Sequence, residues 1–195
     1  MLLVTLQKLS KPLSYLKIKH EQKFIIDIAI PVVLAIICHQ ILSLDSVKFN
    51  IIGDKGLVSH INGLLQMLVG FFVASLAAVA TFQRQGMDET MQGTPPKLNG
   101  KSLTRREFLC FMFGYLAFIS IVTYLISGVA GLALPAIKSM LSSSGYDFFQ
   151  SIGLLVYLVV IFNILTTTLL ALHFLTDRMV RSEEEPPEVE VDEAE

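Results

Sequence analysis

The chain has 195 residues, of which 53% are hydrophobic and 16% are charged, with a formal net charge of −2. Because soluble domains carry about 25% charged residues, this composition favours a membrane protein. The longest segment between apolar runs is the 25-residue stretch 83–107. That is too short for an appended catalytic domain, since an independent core needs about 40–50 residues.

Residues 1–23 form a basic segment in front of the first apolar run. Leucines recur there in steps of four and three with lysines between them, at Leu2, Leu6, Leu9, Leu13 and Leu16. This spacing puts the leucines on one face, which is typical of helices that lie in the membrane interface. We therefore predict a short interfacial N-terminal helix, bent near Pro12. The alternative is an ordinary juxtamembrane segment whose lysines only set the topology.

Four long apolar runs follow, at about 24–44, 61–82, 108–134 and 152–176. Each has at least 21 residues, and about 20 helical residues cross a hydrocarbon core of about 30 Å. Backbone polar groups have no water to bond to in that core, so helices are the default structure. We predict an all-α membrane protein with four transmembrane helices in one domain, 24–176.

The connection 83–107 is rich in Gly, Pro and Asn-Gly, a composition that predicts an irregular segment. It ends in Thr104-Arg-Arg-Glu107, which fits the capping-box pattern and predicts a capped start for the third helix.

Residues 177–195 are predicted to form a disordered tail. Eight of the 13 residues from Glu183 onward are acidic and none is aromatic, so the segment cannot bury enough apolar surface to order itself. One interpretation is a solvated end without a binding role, and the other is a docking tail for a basic partner. The candidate docking residues are Arg84, Arg105, Arg106, Glu183, Glu184, Glu185 and Glu188.

Lysine and arginine are unevenly distributed among the connecting segments. Segments 1–23, 83–107 and 177–195, which share a side after four crossings, carry 12 of these residues, and the opposite segments carry three. Because positive residues favour the cytoplasmic side, we predict that both termini and 83–107 are cytoplasmic.

Four polar residues inside the runs are candidates for interhelical contacts: His39, Asn62, Gln66 and Asn163. Polar groups at membrane depth usually bond to a neighbouring helix, with an average contribution of about 0.6 kcal/mol. The alternative is that the amides of these residues, together with Thr166–Thr168, line the pore of an oligomer.

Asp27 is the only acidic residue within a run, and Lys23 precedes it by four residues. This pairing accounts for the carboxylate, whereas a proton or ion relay requires a deeper carboxylate with an ionisable partner. The sequence has no HExxH, no GxSxG, no paired intramembrane aspartates and no phosphate-binding glycine loop. We therefore expect no enzyme, no cofactor and no metal site.

The overall layout resembles that of one family. The lysine-rich start, the run Phe24–Leu44, the motif Thr104-Arg-Arg-Glu107 and the acidic end Glu183–Glu195 resemble KwaA, the membrane subunit of the two-component Kiwa anti-phage defence system. The resemblance covers the whole chain and rests on layout. It implies a multi-pass protein of the bacterial inner membrane that contacts lipids, forms homo-oligomers and detects phage infection at the envelope.

The resemblance also implies a cytosolic partner like KwaB, which binds DNA and impairs phage replication and transcription. Direct nucleic-acid binding by this chain is not expected. The first hypothesis is accordingly a membrane sensor and scaffold, and the alternative is an oligomeric pore that depolarises infected cells.

Overall fold

The computed structural model describes residues 11–19, 23–44, 51, 53, 56–81, 87–90 and 95–181, with side chains as far as residue 176. These residues include four long helices: α1 at Ile25–Leu42, α2 at Leu57–Thr81, α3 at Arg105–Met140 and α4 at Ser143–Arg181. Each is long and apolar enough to cross a membrane. The predicted all-α class with four candidate transmembrane helices is confirmed.

The first of these helices, α1, changes its geometry near its start. Its first five residues, Ile25–Ala29, form a π-helix, and the α-helical part is Ile30–Leu42. The change comes just before Pro31, which has no N–H to donate to the carbonyl of Asp27 four residues earlier. Single π turns inside helices are rare and are frequently found at functional sites.

The start of α3 is fixed by the predicted capping box. The Thr104 hydroxyl accepts from the Glu107 N–H at 3.2 Å, and the Glu107 carboxylate accepts from the Thr104 N–H at 3.0 Å. The capping box is thereby confirmed, and it satisfies two backbone donors at once. The helix then continues through Pro135, beyond the predicted end at 134, because a long apolar helix tolerates the loss of one backbone bond.

The last helix, α4, exceeds its predicted run at both ends. It begins at Ser143 and reaches Arg181, so the first five residues of the segment 177–195 are helical. The helical pattern continues there because 177–181 contains neither glycine nor proline, and helices extend until a breaker or a cap ends them. The rest of the predicted tail lies outside the described residues.

The helices pack in the order α1, α4, α3, α2. Each helix contacts the next one in this order, and α1 and α2 do not pack together to a comparable extent in the described part of the chain. In the most apolar stretch of each helix, 44% of the residues are buried in α3 and 39% in α4, compared with 17% in α1 and in α2. The two central helices therefore hold the core, and the two outer helices present most of their surface to the surroundings.

Part of the connection 83–107 is ordered. Strands β1, Lys97–Leu98, and β2, Lys101–Ser102, form an antiparallel hairpin. Asn99 and Gly100 join them with φ values of 51° and 85°, as in the type I′ turn that Asn-Gly favours. The prediction of an irregular connection is therefore wrong for these residues. The turn matches the right-handed twist of its strands, which is why so short a hairpin forms.

The N-terminal segment is fastened to this hairpin and to the core. Lys11–Lys17 forms a 3-10 helix, and Lys19 and Lys97 exchange two backbone hydrogen bonds of 2.9 and 3.2 Å. Tyr15 and Ile18 are buried in the core, whereas Leu16 is exposed. The described part of the predicted interfacial helix thus buries an aromatic residue inside the protein, and Leu2, Leu6 and Leu9 lie outside the described residues. We name residues 11–19, 87–90 and 95–104 the basic cap.

Candidate functional site

A buried ion pair lies where the basic cap meets α1. Asp27 is in the π turn of α1, and its Oδ2 is 2.6 Å from Lys23 Nζ. Only 13% of the Lys23 side chain and 4% of the Asp27 side chain are exposed. The predicted pairing between residues four apart is therefore present. Because it is buried, each charge depends on the other much more than in a surface pair.

Tyr15 of the basic cap contacts both members of the pair. Its hydroxyl donates to Asp27 Oδ1 at 3.2 Å, and Lys23 Nζ lies 4.2 Å from the centre of its ring, within the range of a cation–π contact. Burial raises the pKa of the Tyr15 phenol above its ordinary value of 10.0, and the charge of Asp27 raises it further. The phenol therefore stays protonated and remains a donor to the carboxylate.

The same cluster extends to the two central helices through Asn163. The side-chain amide of Asn163 on α4 donates to the backbone carbonyl of Asp27 at 2.8 Å, which is the carbonyl that Pro31 cannot serve. Its oxygen accepts from the hydroxyl of Tyr115 on α3 at 2.7 Å. The rings of Tyr15 and Tyr115 stack with centroids 5.0 Å apart. We name Tyr15, Lys23, Asp27, Tyr115 and Asn163 the junction cluster, because it joins the cap to α1, α3 and α4.

A second set of polar bonds ties α2 to the central helices. Asn62 Oδ1 on α2 accepts from Ser127 Oγ of α3 at 2.8 Å and from Tyr157 Oη of α4 at 3.2 Å. Gln66 Nε2 donates to Tyr124 Oη of α3 at 2.7 Å. Both amides thus bond to other helices, and the bonds fix the register of α2 against its neighbours.

Three further polar residues of the runs form hydrogen bonds of two kinds, between helices and within one helix. His39 Nε2 on α1 lies 3.0 Å from Ser151 Oγ on α4, so it also joins two helices. Thr166 and Thr168 instead donate to carbonyls four residues earlier on α4, at 3.0 and 2.6 Å. Their hydroxyls therefore bond to the backbone of their own helix, and Thr167 between them is fully buried.

Of the candidate docking residues, the structure describes Arg105 and Arg106. Arg106 Nε and Nη2 donate to the two carboxylate oxygens of Asp88 at 2.7 and 3.1 Å, and Nη1 donates to the carbonyl of Val79 at 3.1 Å. The positive guanidinium beside the last carbonyls of α2 interacts favourably with the partial negative charge at that helix end. The bond from Arg106 also lowers the pKa of Asp88. A partner of Arg106 would have to compete with these contacts.

Arg105 is half-buried, and its backbone N–H donates to the carbonyl of Glu89 at 3.1 Å. Arg84, Glu183, Glu184, Glu185 and Glu188 lie outside the described residues. The exposed cations of the basic cap are instead five lysines: Lys11, Lys17, Lys19, Lys97 and Lys101.

The tyrosines are the functional side chains that the sequence pattern did not reveal. Tyr115, Tyr124 and Tyr157 each bond to an amide of another helix, and Tyr15 bonds to Asp27. The sequence does indicate that these tyrosines have partners, because a phenol hydroxyl inside an apolar run needs a hydrogen-bond partner just as an amide does. A search of protein families, of curated proteins and of solved structures finds no match to this chain.

Proposed function

We propose that the protein is an integral membrane sensor and scaffold, which receives a signal within the bilayer and passes it to a partner in the cytosol. The observation that carries the proposal is the bond from Tyr15 of the basic cap to Asp27 in α1. A shift of α1 against α4 would move Asp27. Because the Asp27 carboxylate is bonded to Tyr15, the basic cap would move with it. The junction cluster is thus the coupling element between helices and cap.

The exposed outer helices support the sensing and assembly roles. Most of the α1 and α2 surface is uncovered within the chain, and α2 carries Gly70, Ala74 and Ala78 at a spacing of four on exposed positions. Small residues at this spacing let helices of different chains approach closely. We therefore propose a homo-oligomer in which α2 contributes to the contact.

The proposed location, signal and partner are based on the family resemblance and on the distribution of lysine and arginine. We place the protein in the bacterial inner membrane with the basic cap and both termini in the cytoplasm, because the lysine-rich segments favour that side. The signal is phage infection at the envelope, and the partner is a cytosolic DNA-binding protein like KwaB. The partner would approach the five exposed lysines of the cap and the acidic tail.

Charge reversal on the cap tests this function. Lys17→Glu combined with Lys97→Glu is expected to abolish the co-purification of the soluble partner with solubilised membranes, and phage protection with it. The side chains of both lysines are exposed and form no ion pair among the described residues, so the fold is expected to tolerate the change. Asp147→Lys, a charge reversal at an exposed position near the opposite end of the protein, is the control and should keep both. Deleting residues 183–195 tests the tail in the same way. Unchanged recovery and protection in both variants would contradict the proposed docking surface.

A further inference from the structure

A half-open groove of about 430 Å³ lies between α3 and α4, with Val58 of α2 and Ile51 also in its wall, and no residue of the basic cap lines it. This volume is in the range of small-molecule sites, which occupy about 300–1,000 Å³. Gly131 contributes to the wall formed by α3, and Gly153 to the wall formed by α4. A Cβ atom added at either glycine would meet no atom within 4 Å. The groove therefore owes part of its space to two positions without side chains.

The lining and the rim are suited to an alkyl chain. Ile126, Phe149 and Val156 line the groove and are 64%, 49% and 58% exposed, on helices long enough to cross a membrane. The hydroxyls of Ser127 and Tyr157, which also line it, both donate to Asn62. A polar ligand would lose its hydration against these apolar walls, whereas a lipid chain enters from the surrounding hydrocarbon without that cost.

A cation stands beyond one end of the groove. Lys138 is exposed and lies one helical turn after Leu134 of the lining, with its Nζ 5.7 Å from the centre of the Tyr146 ring. The helix α3 has 36 residues and is about 54 Å long at 1.5 Å per residue, which exceeds the hydrocarbon core of about 30 Å. Its last turns therefore reach the headgroup region, where an ammonium attracts phosphate.

We infer that the groove holds an acyl chain of an anionic phospholipid, and that Lys138 binds its phosphate. The residues that line the groove include no member of the junction cluster, so the inference does not depend on the proposed signalling role. The chain occupies the space above Gly131 and Gly153, and the headgroup remains at the level of Lys138. An anionic lipid is preferred over a zwitterionic one because no cationic group of its own opposes the ammonium of Lys138.

Photolabelling of the full chain in nanodiscs tests this site. The probe is phosphatidylglycerol with a diazirine on one acyl chain, with the matching phosphatidylcholine in a parallel arm, and the label is mapped by mass spectrometry. We expect the phosphatidylglycerol label to concentrate on 126–134 and 149–157. Gly131→Leu should reduce it about tenfold there, because the leucine takes the place of the lipid chain. Gly153→Leu repeats the test from the other wall.

The control variants distinguish binding of the acyl chain in the groove from binding of the lipid headgroup by Lys138. Gly70→Leu, on an exposed position of α2, should leave the groove label unchanged, and the label on α1 serves as an internal reference for folding. Lys138→Gln should remove the preference for phosphatidylglycerol over phosphatidylcholine. Label spread evenly over the lipid-facing helices, or unchanged in both leucine variants, would overturn the site. Absence of label from 126–134 and 149–157 in the wild type would also overturn the site, because another occupant such as a second copy of the protein would then cover the groove. Equal labelling of the wild type by the two lipids would overturn the role of Lys138.

Discussion

Asp27→Ala is expected to destabilise the protein by about 3 kcal/mol, because it leaves the Lys23 ammonium buried without its counter-charge. The value is at the low end of the range of about 3–5 kcal/mol for breaking a buried pair, since a lysine near a helix end can turn toward the headgroups. The variant also removes the acceptor of the Tyr15 hydroxyl. The measurement is reversible unfolding by SDS in mixed micelles, compared with the wild type.

Two variants make this prediction specific. Adding Lys23→Met to an Asp27→Leu background should restore the part of the lost stability that comes from the unpaired ammonium, although the Tyr15 hydroxyl still lacks its Asp27 acceptor. Asn62→Leu is the matched control, since it removes a half-buried acceptor of two bonds outside the junction cluster and should cost about 1 kcal/mol. A loss in Asp27→Ala no larger than that in Asn62→Leu would mean that the ion pair contributes little.

Tyr15→Ala is expected to release the N-terminal segment from the bundle while the four helices remain folded. Replacing a fully buried aromatic residue by alanine costs about 3–5 kcal/mol, and Tyr15 also loses its stacking on Tyr115 and its bond to Asp27. The measurement is the rate of trypsin cleavage after Lys17 and Lys19, both exposed in the segment. A local loss of about 3 kcal/mol corresponds to a rate increase of about 100-fold when opening is fast.

Two comparisons accompany this experiment. Tyr15→Phe keeps the ring and loses one hydrogen bond to a charged group, which is worth about 1.5–3 kcal/mol, so its cleavage rate should lie between those of the wild type and the alanine variant. Cleavage after Lys138, at the far end of α3, should not change in either variant. Equal cleavage rates after Lys17 in wild type and Tyr15→Ala would show that Tyr15 does not hold the segment.

The features that the sequence predicted are local ones. Each of the four spans is set by about 20 consecutive apolar residues. The capping box and the pairing of Lys23 with Asp27 involve residues only three and four positions apart. The amides Asn62, Gln66 and Asn163 were recognised as candidates because a polar side chain inside an apolar run needs a partner. Which partner each one finds depends on helix packing, which the apolar pattern does not encode.

The junction cluster depends on contacts that no local pattern contains. Tyr115 and Asn163 are 48 residues apart, and Asn163 and Asp27 are 136 residues apart. The leucine spacing in 1–23 predicted an apolar face for that segment. In its described part Leu13 packs against the core and Leu16 is exposed, and the residue between them that is fully buried is Tyr15, which bonds to Asp27. Asn99-Gly100 is a hairpin signal, but strands of two residues carry no alternation of apolar and polar side chains that would support it.

Hydrogen–deuterium exchange in nanodiscs tests the coupling of helices and cap most directly. The comparison is between the wild type and Asp27→Asn, which removes the charge and keeps the shape of the side chain. We predict faster exchange at the amides of Lys11–Lys17, and also at Lys97, because Lys19 and Lys97 share two backbone bonds. Asn62→Leu should leave both segments unchanged. Identical exchange of the cap in wild type and Asp27→Asn would contradict the proposal that the junction cluster links the membrane helices to the basic cap.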